Sequence, residues 1–195
     1  MGDGFHARRG GGVMATFAAH EADLLRNLVA QIIELLRHES AVPDDGDSLE
    51  SMLDFTGPTT VPDDPVLARL FPDAYRDDEE AAGDFRRFTE SDLRSGKASA
   101  AAAVIDDLEA AGLGDEPESG TMVDVELDTA RAMQWLKAFN DVRLALGTRL
   151  GIEDEETAEQ VSEDDPRAVV FEIYHWMSYL QESLVHALSA RANRP

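Results

Sequence analysis

The 195-residue chain has no cysteine. That excludes disulfides, thiol catalysis, thiolate metal sites and thiol-based redox switching together. Positive charge is scarce: 17 Lys and Arg face 40 Asp and Glu, a formal net charge of -23. Such a polyanion has little nonspecific attraction for nucleic acid or anionic membrane. Lysine is nearly absent, at Lys97 and Lys137 alone, which with abundant Ala, Asp and Gly points to a GC-rich genome. No run approaches the roughly 18 apolar residues of a membrane span. Val13 to Ala19 is apolar but short and cut off from Arg8-Arg9 by three glycines, which is not a secretory signal. The chain is expected to be cytoplasmic and to have no membrane contact.

Hydrophobic residues make up 43% of the chain, a foldable composition. Gly4 to Phe17 reads as a hairpin turning on Gly10-Gly11-Gly12. His20 to His38 carries Leu24, Leu25, Leu28, Val29, Ile32, Ile33 and Leu36 at helical spacing. Residues 39–76 are proline-rich and read as a long loop, pinned by Leu49/Met52/Leu53/Phe55 and by Val66/Leu67/Leu70/Phe71. Pro65 to Phe71 fits a short helix with Pro at its first position. Asp77 to Ala111 reads as helix in two pieces, with Ala81, Phe85, Phe88 and Leu93 as the apolar face of the first and a break at Gly96.

Met122 to Leu127 alternates apolar and polar residues, a half-buried strand that pairs with the hairpin. Asp128 caps a helix over Thr129 to Leu150, and Gly151 ends it. Glu153 to Ser162 is expected to be a short acidic helix. Asp165 and Pro166 then start a last helix running to about Ala190. The expected fold is one domain over 1–195 of α+β class, mainly α, with about five helices and a small antiparallel sheet. Residues 112–121 and 152–165 are its acidic linkers.

Residues alone identify no reaction. Glu172 and His175 are spaced as in di-iron bundles, but no second copy exists, and Glu34 and His38 are spaced differently. Asp44-Asp45-Gly46-Asp47 lacks the rest of a calcium loop. No Gly-x-Ser-x-Gly is present, and the glycine triplet is not followed by Lys-Ser/Thr. No catalytic, cofactor or metal residue is therefore assigned, and the chain is expected not to be an enzyme. Lys97 to Ala111 would make a poor recognition helix, since Asp106 and Asp107 repel phosphate. Arg8 and Arg9 at a hairpin tip form at most a weak arm. Met14, Met52, Met122, Met133 and Met177 are oxidisable, but their expected job is apolar packing. Acidic runs on linkers read as solvated faces or as a surface for a basic protein.

Trp135 to Ile152 is the densest segment: an apolar helix punctuated by Asn140, Asp141, Arg143 and Arg149. Gly147 inside it points to a close backbone approach. The segment reads as a packed helix with buried polar anchors, or as a partner groove or dimer seam. Trp176 and Tyr179 make the last helix a candidate seam for a homodimer.

This segment resembles the signature of an actinobacterial family long labelled as of unknown function and described as oxidative-stress transcriptional regulators (AosR-like). Further matching strings are Glu21 to Arg26, Asp73-Ala-Tyr75, Phe85-Arg-Arg-Phe-Thr89, Tyr174-His-Trp176 and Leu180-Gln-Glu182. The resemblance implies a non-enzymatic regulator acting through a protein partner such as an alternative sigma factor. Direct DNA binding without a partner is the rival reading, and a ferritin-like metalloprotein or unrecognised enzyme is a third. A thiol switch is the usual oxidant sensor in such regulators, and this chain has none.

Overall fold

A computed structural model describes residues 4–38, 57–115, 120–152 and 165–192, and no side chain at 38, 191 or 192. The elements run β1 (His6–Ala7), β2 (Val13–Ala18), α1 (Ala19–His38), α2 (Pro65–Leu70), α3 (Glu79–Ala110), β3 (Met122–Leu127), α4 (Thr129–Leu150) and α5 (Ala168–Ala192). The class is α+β, mainly α. The sheet is antiparallel in the order β1-β2-β3. Val13 lies opposite Leu127, Ala15 opposite Val125 and Phe17 opposite Val123. All six point into the core, as a period of two on a one-sided sheet requires.

The hairpin closes through Arg8 and Gly12. Gly12 has φ +80°, and a Cβ there would meet the Leu127 carbonyl oxygen at 2.1 Å, so no other residue fits. The sheet lies on the helices. Phe5, Phe17, Trp135 and Phe139 pack with ring centroids 5.5–6.3 Å apart, arrangements that aromatic quadrupoles favour. The Trp135 indole donates to Asp107 at 2.8 Å, and Arg131 donates to the same carboxylate at 2.7 Å. That ties the start of α4 to the end of α3.

Helix ends follow their local chemistry. The Glu21 carboxylate accepts from the Ala18 N–H at 2.9 Å, half of a capping box at the start of α1. Asp128 caps α4, accepting from the Arg131 N–H. Gly151 (φ +71°) closes it: Gly151 N–H donates to the Thr148 carbonyl and Ile152 N–H to that of Gly147. This is the double bond of a left-handed C-terminal cap.

Two boundaries differ from expectation. α3 is unbroken through Gly96 and runs 32 residues, about 48 Å at the helical rise. One interior glycine costs about 1 kcal/mol. The Ala98–Ala103 segment, rich in alanine, and the Arg86–Glu90–Arg94 ladder, spaced four apart, outweigh it. α5 starts at Ala168, because Asp165 and Pro166 form a preceding turn in which the Asp165 carboxylate accepts from the Arg167 N–H. The short acidic helix at 153–162 and the Leu49/Met52/Leu53/Phe55 cluster lie outside the described residues. Val66, Leu67, Leu70 and Phe71 are buried, as expected.

Candidate partner-binding site

The corner between α2 and α3 is built on two aspartate caps. Asp64 accepts from the Val66 and Leu67 N–H groups, and Asp78 from that of Ala81. Between the caps the chain drops Phe71 into the core and then surfaces. Arg86, buried to 5% exposure, organises the turn. Its Nη1 donates to Glu90 at 2.7 Å; its Nη2 donates to the Phe71 carbonyl and to Asp73, each at 2.9 Å. Burial works against the guanidinium's charge, but Asp73 and Glu90 outweigh it and hold its pKa above the usual value. Arg94 reaches the other Glu90 oxygen at 2.8 Å and the Leu36 carbonyl at 3.2 Å, with its guanidinium 4.7 Å from the Phe71 ring. Lys97, 5.7 Å from that ring, extends the network to Asp141 on α4 at 2.7 Å.

This polar ladder occupies the inward face of the first half of α3, with Ala82 and Gly83. The large apolar side chains are consequently turned out. Phe85, Phe88 and Leu93, expected as core, are exposed, Phe88 to 64%. Tyr75 meets Phe85 edge-on at 6.0 Å. Beside them opens a cleft of about 230 Å³, lined by Leu70, Phe71, Phe85, Arg86, Leu93 and Lys97 among others. Asp77, Asp78, Glu79, Glu80, Asp84 and Asp92 stand exposed just before α3 and along its first half. An apolar cleft with Phe85 at its wall, on a stretch of chain rich in exposed carboxylates, has the chemistry of a surface for an amphipathic, positively charged segment.

The residues singled out on α4 and α5 divide by burial. Trp135 and Asp141 are buried anchors. Burial raises the Asp141 carboxyl above its ordinary value, and Lys97 pulls it partly back. Arg143 donates to Gln181 at 2.7 Å and lies 5.8 Å over the Tyr174 ring. Asn140 is half-buried and Arg149 exposed. Trp176 sits in the core, whereas Tyr179 is exposed. Gly147 faces the edge of Tyr174, where a Cβ would find 3.5 Å. That is ordinary van der Waals contact with one aromatic side chain, so the close backbone approach expected at Gly147 is not found. Glu172 and His175 stand exposed on α5. Among the described residues no three His, Asp or Glu side chains are grouped to hold a metal. Asp44–Asp47 lies outside the described residues.

The strings that carried the resemblance meet in space. Asp73-Ala-Tyr75 packs on Phe85-Arg-Arg-Phe-Thr89 through the Asp73–Arg86 pair and the Tyr75–Phe85 contact. The α4 segment meets Tyr174 and Gln181 through Arg143. The exposed aromatic side chains were hidden from a periodicity reading, which assigns apolar residues inward. The available signal was the Arg86–Glu90–Arg94 spacing, which claims the same helix for a polar inward face.

The chain is similar to known proteins over most of its length. The putative oxidative stress regulator AosR of Mycobacterium leprae (strain TN) is 38% identical over 188 residues, covering 89% of this chain and 81% of that protein. The oxidative stress regulator AosR of Mycobacterium tuberculosis (strain ATCC 25618 / H37Rv) is 35% identical over 189 residues, with the same coverage. No solved structure matches. The model of a domain of unknown function, DUF2017, matches residues 2–188, and the chain belongs to that family.

Proposed function

We propose that the chain is a non-enzymatic, transcription-related regulator of the oxidative-stress response that acts through protein contacts in the cytoplasm. The names of its relatives support a regulatory role in oxidative stress. The observation that carries the contact mechanism is the Phe85-lined cleft between α2 and α3, on a stretch of chain rich in exposed carboxylates. Its complement is an amphipathic segment with an apolar anchor and positive flanks. An alternative sigma factor, which must carry positive charge to hold DNA, is a partner of that kind. Two of the three basic side chains offered for direct DNA reading are engaged elsewhere: Arg8 pairs with Glu126 at 2.8 Å, and Lys97 with Asp141. The homodimer expected from α5 is a separate proposal, resting on exposed Tyr179 and Val185.

The test mixes the chain with its own promoter DNA, with and without RNA polymerase holoenzyme, at near-physiological salt. A shift that needs the sigma factor is the expected result. A tight, sequence-selective shift by the chain alone makes it a direct DNA binder instead. Stoichiometric iron or manganese in the purified protein would revive the metalloprotein reading.

A further inference from the structure

Relatives named for oxidative stress and a chain without thiol pose a chemical question. The sulfur in this sequence is all methionine. Thioethers are oxidised reversibly, and susceptibility follows exposure. Met177 is fully buried, in a core position. Met14, Met122 and Met133 are not: they are 37%, 55% and 43% exposed. Methionine is among the residue types most often buried, so the packing role expected of the methionines holds for Met177 and fails for these three, while Met52 lies outside the described residues.

Two of the three share one surface. The strand alternation that turns Val13, Ala15 and Phe17 inward turns Met14 and Thr16 outward. On β3 it turns out Met122, Asp124 and Glu126. The register adds a second point. Ala19 N–H donates to the Thr121 carbonyl, so the backbone groups of Val123, Val125 and Leu127 face β2. Those of Met122, Asp124 and Glu126 face away, along the outer edge of the sheet. Pairing of two such edges would set carboxylate against carboxylate, which opposes self-association. A strand edge of this kind is a surface that partners read, and Met122 stands on it.

We infer that Met14, Met122 and Met133 are sites at which this chain registers peroxide. The inference rests on the regulatory role proposed above. In the step, a thioether lone pair attacks one oxygen of hydrogen peroxide. The O–O bond breaks, an S–O bond forms, and the second oxygen leaves as water. Sulfur loses two electrons and the peroxide gains them. A thiol-dependent sulfoxide reductase reverses the step: two thiols become a disulfide and the oxygen leaves as water. The charge of -23 selects the oxidant. Neutral hydrogen peroxide approaches freely, while anionic oxidants are repelled. The product is a polar sulfoxide where an apolar side chain stood. None of the three packs in the core, so the fold survives the change.

The full chain, treated with hydrogen peroxide and mapped by peptide mass spectrometry, tests the chemistry. Met14, Met122 and Met133 should oxidise on the order of tenfold faster than Met177, with helix content unchanged and reversal by sulfoxide reductase. The second arm replaces the three by leucine (M14L, M122L, M133L) in the encoding organism, keeping volume and apolarity. The variant should keep its melting temperature and lose the chain-dependent transcript response to peroxide. Oxidation of Met177 at the same rate, or a full response in the variant, overturns the assignment alone. A peroxide response unchanged by deleting the gene overturns the regulatory reading, and this inference with it.

Discussion

Arg86 holds three carbonyl or carboxylate oxygens at 2.7–2.9 Å from a site 5% exposed. Removing it leaves Glu90, 2% exposed, with Arg94 as its remaining charged partner. Arg86→Met should cost about 3–5 kcal/mol in urea unfolding, the range for breaking a buried pair. Arg86→Lys should not restore it, because a point ammonium cannot span the fork. Asp141 gives a pH test. Burial raises its carboxyl above the ordinary 3.8 despite Lys97. Between 3.8 and the raised value the folded chain holds more proton than the unfolded one. Stability from this group therefore falls as pH rises through that window and returns as pH falls. Asp141→Asn should remove that part of the slope from melting temperatures measured across it. Polar anchors on the Trp135 helix were legible because Asp141 and Arg143 interrupt an apolar face. Arg86 was not, because its partners, Asp73 and the Phe71 carbonyl, come from a turn that no pattern positions.

The elements themselves were largely written in local chemistry. Alternation gave β3, the glycines the hairpin of β1 and β2, and Asp128 and Gly151 the ends of α4. The exception is α3, where Gly96 reads as a break and is a plain helical residue. A Cβ at Gly96 meets nothing within 4 Å, so Gly96→Ala should stabilise the fold by up to about 1 kcal/mol. Gly12→Ala should do the reverse, by more than about 1 kcal/mol, since φ is positive and the Leu127 oxygen is in the way. Thermal or urea unfolding of the two variants, moving in opposite directions, separates a tolerated glycine from a required one. The face of α3 was misread for a related reason. Hydrophobic spacing alone does not say which stripe turns inward when a charged ladder competes for the same side.

At the scale of the molecule, the missing cysteine and the surplus of carboxylates define what the surface can do. The charge excludes little about the fold and much about partners. Exposed carboxylates are frequent along the first half of α3, which also carries exposed Phe85, Phe88 and Leu93, so a positively charged partner should bind more weakly as salt rises. Phe85 and Phe88 lie outside the core. Serine at both should leave stability within about 1 kcal/mol. It should weaken a true partner by on the order of tenfold or more, as loss of an aromatic anchor does. The measurement that bears most directly on the contact mechanism is binding of this F85S/F88S pair and of the parent chain to RNA polymerase holoenzyme. It is made at near-physiological salt, with promoter DNA added or withheld. The parent chain should bind holoenzyme and shift DNA only in its presence, and the variant should do neither while melting like the parent. Equal binding by the variant, or a sequence-selective DNA shift by the parent alone, would contradict the account.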